Sequence, residues 1–205
     1  MLTSFGRLSC YFLIPLLFCV GLTACAQRPF LVVDYKTIEA SNQLAGKQVR
    51  LQVKDLRTDP SIFTPEAAAD FPGFQEQYRF VEASEASKAA SNDLDLTSLV
   101  YQAFALRLEK MGAEVVDLDR DNVPLFQVSI KQLKIDLKDS RWVTSVSFEG
   151  NLSVDGRLIA KETVSGEAER IKILGSGGAD ENFSNIFTEI INRLNIAKLF
   201  KHAKV

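Results

Sequence analysis

The chain has 205 residues, 46% hydrophobic and 24% charged, with a formal net charge of −2. These proportions are ordinary for a globular protein and exclude wholesale disorder. No basic excess is present to hold a polyanion, so nucleic-acid binding is set aside.

Residues Met1 to Gly21 have the parts of an export signal. Arg7 is the single charged side chain before Cys25 and supplies the short positive start. Leu8 to Val20 is apolar, interrupted by Pro15, and shorter than the roughly 20 residues a membrane span needs. Leu22-Thr23-Ala24-Cys25 closes the segment. This tetrapeptide resembles the lipobox of bacterial lipoproteins: an aliphatic residue, two small residues, then cysteine. Small residues let the backbone enter a peptidase cleft. A thiol is nucleophilic enough to accept a diacylglyceryl group as a thioether. The expectation is a signal peptide at 1–24, recognised through Leu22, Thr23 and Ala24, with acyl chains on Cys25. Ordinary secretion with cleavage around Ala24-Cys25-Ala26 and an uncleaved anchor are the alternatives. Removing 24 residues leaves 181, a net charge of −3 and one cysteine, hence no intramolecular disulfide. A single acyl chain binds membranes marginally, at about 0.8 kcal/mol per buried CH₂, whereas several chains hold stably. Ala26 after the cysteine, instead of Asp, resembles enterobacterial sorting to the outer membrane.

Residues 25–47 read as a lipidated N-terminus and tether with one short extended piece at Phe30 to Val33. As a flexible coil of about 20 residues it would reach roughly 25 Å. Residues 48–205 read as a single α+β domain with a long insertion at 58–92. Val49, Leu51 and Val53 alternate with Arg50, Gln52 and Lys54, the period of a half-buried strand from Gln48 to Leu56. Ser61 to Asn92 is disorderly, and a loop of that length is functional or disordered by expectation. Its aromatics, Phe63, Phe71, Phe74, Tyr78 and Phe80, either pack on the domain or bind something. Leu96, Leu99, Val100, Ala103, Phe104, Leu108 and Met111 lie on one helical face. Asp93 or Asp95 is placed to cap that helix, and Gly112 to end it. Ala113 to Leu118 is a short strand. Phe126, Val128 and Ile130 then share one parity, and Leu133, Ile135 and Leu137 the other, which predicts a bulge near Lys131-Gln132. Trp142 to Val154 and Arg157 to Ile171 form a hairpin around Asp155-Gly156. Asp180 to Lys201 reads as one helix, its C-terminal end loaded with lysines. The order predicts a two-layer α+β sandwich: a mostly antiparallel sheet of about five strands, with two helices on one face.

The layout resembles the YajG-type bacterial lipoproteins. The residues that carry the likeness are Leu22 to Cys25, the strand Val49 to Val53 running into Asp55-Leu56-Arg57-Thr58-Asp59, and Leu106, Glu109, Met111 and Gly112 before a valine-bearing strand. The Phe126 to Leu137 strand and the Asn182 to Leu194 helix also fit. More distantly the chain is similar to auxiliary lipoproteins of envelope ABC transporters and to lipopolysaccharide-assembly lipoproteins. The resemblance implies an envelope lipoprotein without established catalysis and supplies no binding residues.

Few residues carry chemistry. His202 is the single histidine and lies among lysines in the tail, which reads as a solvated helix end and removes most nucleophilic triads and zinc arrangements. Asp55 and Arg57 are two apart at a strand end and point the same way, so they either form a structural turn or bind a polar ligand. Asp117, Asp119 and Asp121 lack the glycine and glutamate of a calcium loop. Gly175-Ser176-Gly177-Gly178 lacks a P-loop lysine. Trp142 beside Arg141 reads as an edge aromatic. No metal or cofactor is expected. The function expected is a non-catalytic binding or scaffolding lipoprotein facing the periplasm from the outer membrane. Its partners are the membrane, through acyl chains on Cys25, and envelope proteins or lipids, not nucleic acid. The alternatives are a lipid-binding accessory of an ABC-type envelope transport system and a carboxylate-based envelope hydrolase.

Overall fold

A computed structural model describes residues 29–82, 93–120 and 122–203; the leader, Cys25 and residues 83–92 lie outside the described residues. In chain order the elements are β1 (Phe30–Tyr35), β2 (Gln48–Asp55), the one-turn helix α1 (Pro65–Ala68), β3 (Gln77–Glu82), α2 (Leu96–Lys110) and β4 (Glu114–Val116). There follow β5 (Leu125–Lys138), β6 (Arg141–Val154), β7 (Arg157–Ile171), α3 (Ala179–Arg193) and α4 (Ile196–Ala203).

The five-stranded sheet has the order β4-β2-β5-β6-β7. β5, β6 and β7 form the expected antiparallel meander, whereas β2 pairs with both β4 and β5 in parallel, so the sheet is mixed. The hairpin turn is at Asp155 and Gly156, with φ of 50° and 75°, as a two-residue loop of this kind requires. The register between β5 and β6 shifts between Ile130 and Gln132. Without that bulge the second half of β5 would turn its apolar side chains to water. With it, Phe126 and Ile130 before the shift and Leu133 and Ile135 after it are all buried on one face.

That face carries the helices. Asp95 caps α2 by accepting from Ser98 N at 2.7 Å, and Gly112, at φ 88°, turns the chain beyond its end. Phe104 of α2 packs edge-on against Phe126 and Phe148, with centroids 6.0 and 5.9 Å apart, and Phe148 meets Phe187 of α3 at 6.1 Å. α3 approaches the sheet closely because glycine lies beneath it. A Cβ on Gly166 would lie 2.7 Å from Ile190 Cδ1, and one on Gly150 would lie 3.0 Å from Leu194 Cδ2. Arg107 of α2 is buried, and its guanidinium donates to the last carbonyls of this helical run, Ile191 O, Asn192 O and Leu194 O. These are the acceptors a helix end leaves without partners.

Four sequence expectations are corrected. The stretch 26–47, read as a tether, is part of the packed fold from Pro29 onward. β1 pairs in parallel with β3 as a second, two-stranded sheet. Leu31, Val33 and Tyr35 are buried, as is Leu44. This pair lies in the helix layer, β3 against α2 and β1 against α3. The open edge of β1 and the residue after it meet hydroxyls of α3: Asp34 N donates to Ser184 Oγ at 3.0 Å and Lys36 N to Thr188 Oγ1 at 3.3 Å. The stretch 61–82 is likewise ordered, through α1, β3 and a bridge between Phe63 and Ile135. Its aromatics pack: Phe63 stacks on Phe71 at 4.4 Å, and Phe71 meets Trp142 at 5.7 Å. Trp142 is therefore no edge residue but wholly buried, donating from Nε1 to Gly177 O at 3.0 Å. Finally, the C-terminal helix is two helices. Leu194 is extended, with ψ 121°, and Asn195 starts α4 by accepting from Lys198 N at 3.0 Å, an N-cap inside the apolar stripe.

Candidate functional site

The groove between the carboxyl end of β2 and the start of α2 gathers the unusual polar groups. Asp55 is the last residue of β2, and Arg57 folds back on it. Arg57 Nε donates to Asp55 Oδ1 at 3.0 Å and Nη2 to Oδ2 at 2.8 Å, while the Arg57 backbone N reaches Oδ1 at 3.1 Å. The two expected residues are thus brought together as a bidentate pair closing a turn. The pair holds the Asp55 carboxyl below the ordinary range, chiefly through the guanidinium hydrogen bonds. Burial acts against the Arg57 charge, but Asp55 outweighs it and the guanidinium stays above its ordinary value.

The turn does not use all of Arg57. Its side chain is 6% exposed, yet Nη1 is buried without a hydrogen-bond partner. The hydroxyl of Tyr78 is in the same condition: Tyr78 is wholly buried and its Oη has no partner. β3 places this residue, since Tyr78 N and O exchange hydrogen bonds with Leu94 at 2.9 Å each, immediately before the cap of α2. Burial pushes the phenol well above its ordinary pKa, so it stays a neutral donor. Native folds leave few such groups unsatisfied, and each costs about 1–3 kcal/mol.

Both residues line one cleft of about 190 Å³, with Asp55, Glu76 and Asp95 around it. Glu76 is held at φ 55°, a left-handed conformation uncommon outside glycine and asparagine. The Asp95 carboxyl is kept below its ordinary range, mainly by the backbone N–H of Ser98 that it caps. A second, apolar cleft of about 430 Å³ lies alongside, lined by Val53, Leu94 and Tyr101, and the two share Thr97. The polar cleft is smaller than the roughly 300–1,000 Å³ of small-molecule sites. It is of a size for a single side chain or a small head group, with Arg57 and Tyr78 among the residues that line it. The sequence marked Asp55 and Arg57 through their spacing. Tyr78 appeared in it as one of a run of aromatics and Asp95 as a helix cap; nothing local placed either of them beside Arg57.

The other candidates stay apart from this groove. His202 is exposed at the end of α4. Asp117 and Asp119 lie in a turn after β4, and Asp121 is outside the described residues. Gly175 and Gly178 take positive φ, 62° and 91°, in the loop before α3. Among the described residues no group of His, Cys, Asp and Glu is arranged to hold a metal ion, and no helix is long and apolar enough to cross a membrane. Leu22, Thr23, Ala24 and Cys25 lie outside the described residues.

No family model and no curated protein matches the sequence. Among solved structures, this chain is similar to protein XCC0632 from Xanthomonas campestris, described under the family model DUF330. The TM-score is 0.56 at 13% identity, covering 85% of this chain and 96% of that one. Looser alignments are found with rare lipoprotein B from Shewanella oneidensis, at TM-score 0.41 and 8% identity over 76% and 97% of the two chains. A minor lipoprotein from Acinetobacter baumannii gives 0.36 and 9% over 78% and 93%. The likeness to the Xanthomonas protein is one of fold: this chain shares its α+β architecture.

Proposed function

We propose that this chain is a bacterial envelope lipoprotein, of the broad kind to which YajG-type proteins belong, cut after Ala24 and anchored by acyl chains on Cys25. Its domain faces the periplasm, by sorting at the outer membrane, and binds an envelope partner without catalysis. The observation that carries the anchor is the position of Cys25. It follows Leu22-Thr23-Ala24 at the end of the apolar leader and precedes the folded chain, which begins by Pro29. The binding role is supported by the Arg57 and Tyr78 donors in the groove. Hydrolysis by paired carboxyls needs one kept protonated, and the pKa values of Asp55 and Asp95 are both lowered, which disfavours that pair as a hydrolytic couple.

Mass spectrometry of the N-terminal peptide, from protein extracted from bacterial membranes, tests the anchor. The expected peptide starts at Cys25 and carries diacylglyceryl and acyl mass. A different first residue, or a bare thiol, refutes it. Cys25→Ser should move the protein from the membrane to the soluble fraction. A second reading, a lipid-binding accessory of an envelope transport system, draws on the apolar cleft at Val53, Leu94 and Tyr101. Native mass spectrometry would then detect a co-purified lipid, lost on Tyr101→Glu.

A further inference from the structure

Among the described residues, one end of the molecule combines the start of β1 with the most exposed apolar side chains. Lys172 N donates to Ser140 O in the β5–β6 turn at 2.9 Å, and the Lys172 side chain pairs with Asp70. A few residues on, Gln75 N donates to Pro29 O at 3.0 Å. The alignment of β1 along α3 agrees. Asp34 meets Ser184 and Lys36 meets Thr188, so Phe30 lies toward the first turn of α3, and that turn follows directly on the loop after β7. The end of β7 and the loop after it are exposed and apolar: Leu174 is 96% exposed, Ile171, the last residue of β7, 68% and Ile173 62%. Single exposed apolar residues are ordinary on protein surfaces. Three within four positions where a strand runs into a loop are not, since loops favour polar and turn-forming residues. The tip is also structured, Ile173 N bonding Gly177 O at 3.0 Å and Gly177 N bonding Leu174 O at 3.2 Å.

Chain length decides what can cover this tip. Cys25 precedes Phe30 by five residues, which extended span at most about 18 Å. The strands of the β6–β7 hairpin, 14 and 15 residues long, put its turn at the opposite end, about 45 Å away at strand rise. A lipid anchor at Cys25 therefore holds this end, and not the other, against the bilayer, at high effective concentration. We propose that the Ile171 to Leu174 loop inserts into the interfacial layer of the membrane that holds Cys25, fixing the domain upright with the β6–β7 turn pointing away. Lys172 is paired with Asp70, so apolar burial rather than a free charge draws the loop in. This inference rests on the lipidation of Cys25.

The test uses the full acylated chain in phosphatidylethanolamine–phosphatidylglycerol vesicles. A fluorophore is placed on Leu174→Cys or, as a control, on the exposed Arg157→Cys, and acylation of each sample is verified by intact mass. Quenching at 174 by a lipid-borne spin label, with 157 quenched by aqueous iodide, is expected. Ile173→Ser with Leu174→Ser should lower lipid-borne quenching of a probe at Ile171→Cys about tenfold, as apolar contact is lost, with no change in melting temperature. Acylated protein in which both positions are quenched only by iodide overturns the insertion and leaves the anchor standing. Position 174 shielded from both quenchers, with crosslinks between copies or to another protein, gives the loop to a protein partner and also overturns it. Protein without acyl mass at Cys25 overturns the anchor and the inference together.

Discussion

The two halves of the sheet are held together by different means. On one side, β5, β6 and β7 are long antiparallel strands joined by tight turns, with α3 pressed onto them over Gly150 and Gly166. On the other, β2 joins the short β4 and β5 in parallel, through pairings distant in sequence, and beyond Gln48 to Arg50 it has no strand on its β4 side. The antiparallel half is packed to the point where one added carbon collides. The parallel half ends in a groove with two buried donors to spare. The contrast teaches that the tightest packing and the proposed binding groove lie in different halves of one small domain.

Breaking the packed half should have the largest effect. Phe148 lies between Phe104 of α2 and Phe187 of α3, and Phe148→Ala is expected to cost about 4 kcal/mol, as for a large aromatic cut from a core. Urea unfolding followed by tryptophan fluorescence reports it directly, because Trp142 is buried in the same core. Gly166→Val comes next, at about 2–3 kcal/mol for an overpacked contact, since even a Cβ would lie 2.7 Å from Ile190 Cδ1 and 2.8 Å from Arg193 Nη2. A loss under 1 kcal/mol at either position would mean the interface is looser than described.

The groove half should respond more weakly. Asp95→Ala removes the α2 cap and should cost about 1 kcal/mol at neutral pH. Because the folded-state pKa of Asp95 is depressed, its contribution is complete above the ordinary aspartate range and fades as pH falls through the folded value. Wild type and variant should therefore converge in melting temperature at strongly acid pH; a gap that persists there would contradict the cap assignment.

How much of this was legible follows the range of each interaction. The Asp155-Gly156 turn, the bulge after Ile130 and the Asp95 cap are local events, and the sequence pattern located the first two and narrowed the third to Asp93 or Asp95. Trp142 was also within reach, since it shares the parity of Val146 and Phe148, both buried. The break before α4 had a signal in Asn195, a capping residue within an apolar stripe. The β1–β3 pair had none beyond the apolar run at Phe30 to Val33, because a parallel pairing across more than forty residues leaves no turn to read. The site divides in the same way. Asp55 and Arg57 are two residues apart and could be seen as a unit, whereas Tyr78 comes to the same cleft only through the tertiary fold.

The central claim is that the Arg57 and Tyr78 donors serve recognition and not stability, and Tyr78→Phe tests it most directly. The change deletes one hydroxyl that has no partner and leaves the ring among Phe74 and Phe183. Thermal unfolding should move upward by about 2–4 °C, as a desolvated donor worth about 1 kcal/mol is relieved. In the same variant, photo-crosslinks to envelope components from a probe at Thr97 should be lost. A lower melting temperature together with undiminished crosslinks would show that the hydroxyl is structural and that the groove is not where this protein meets its partner.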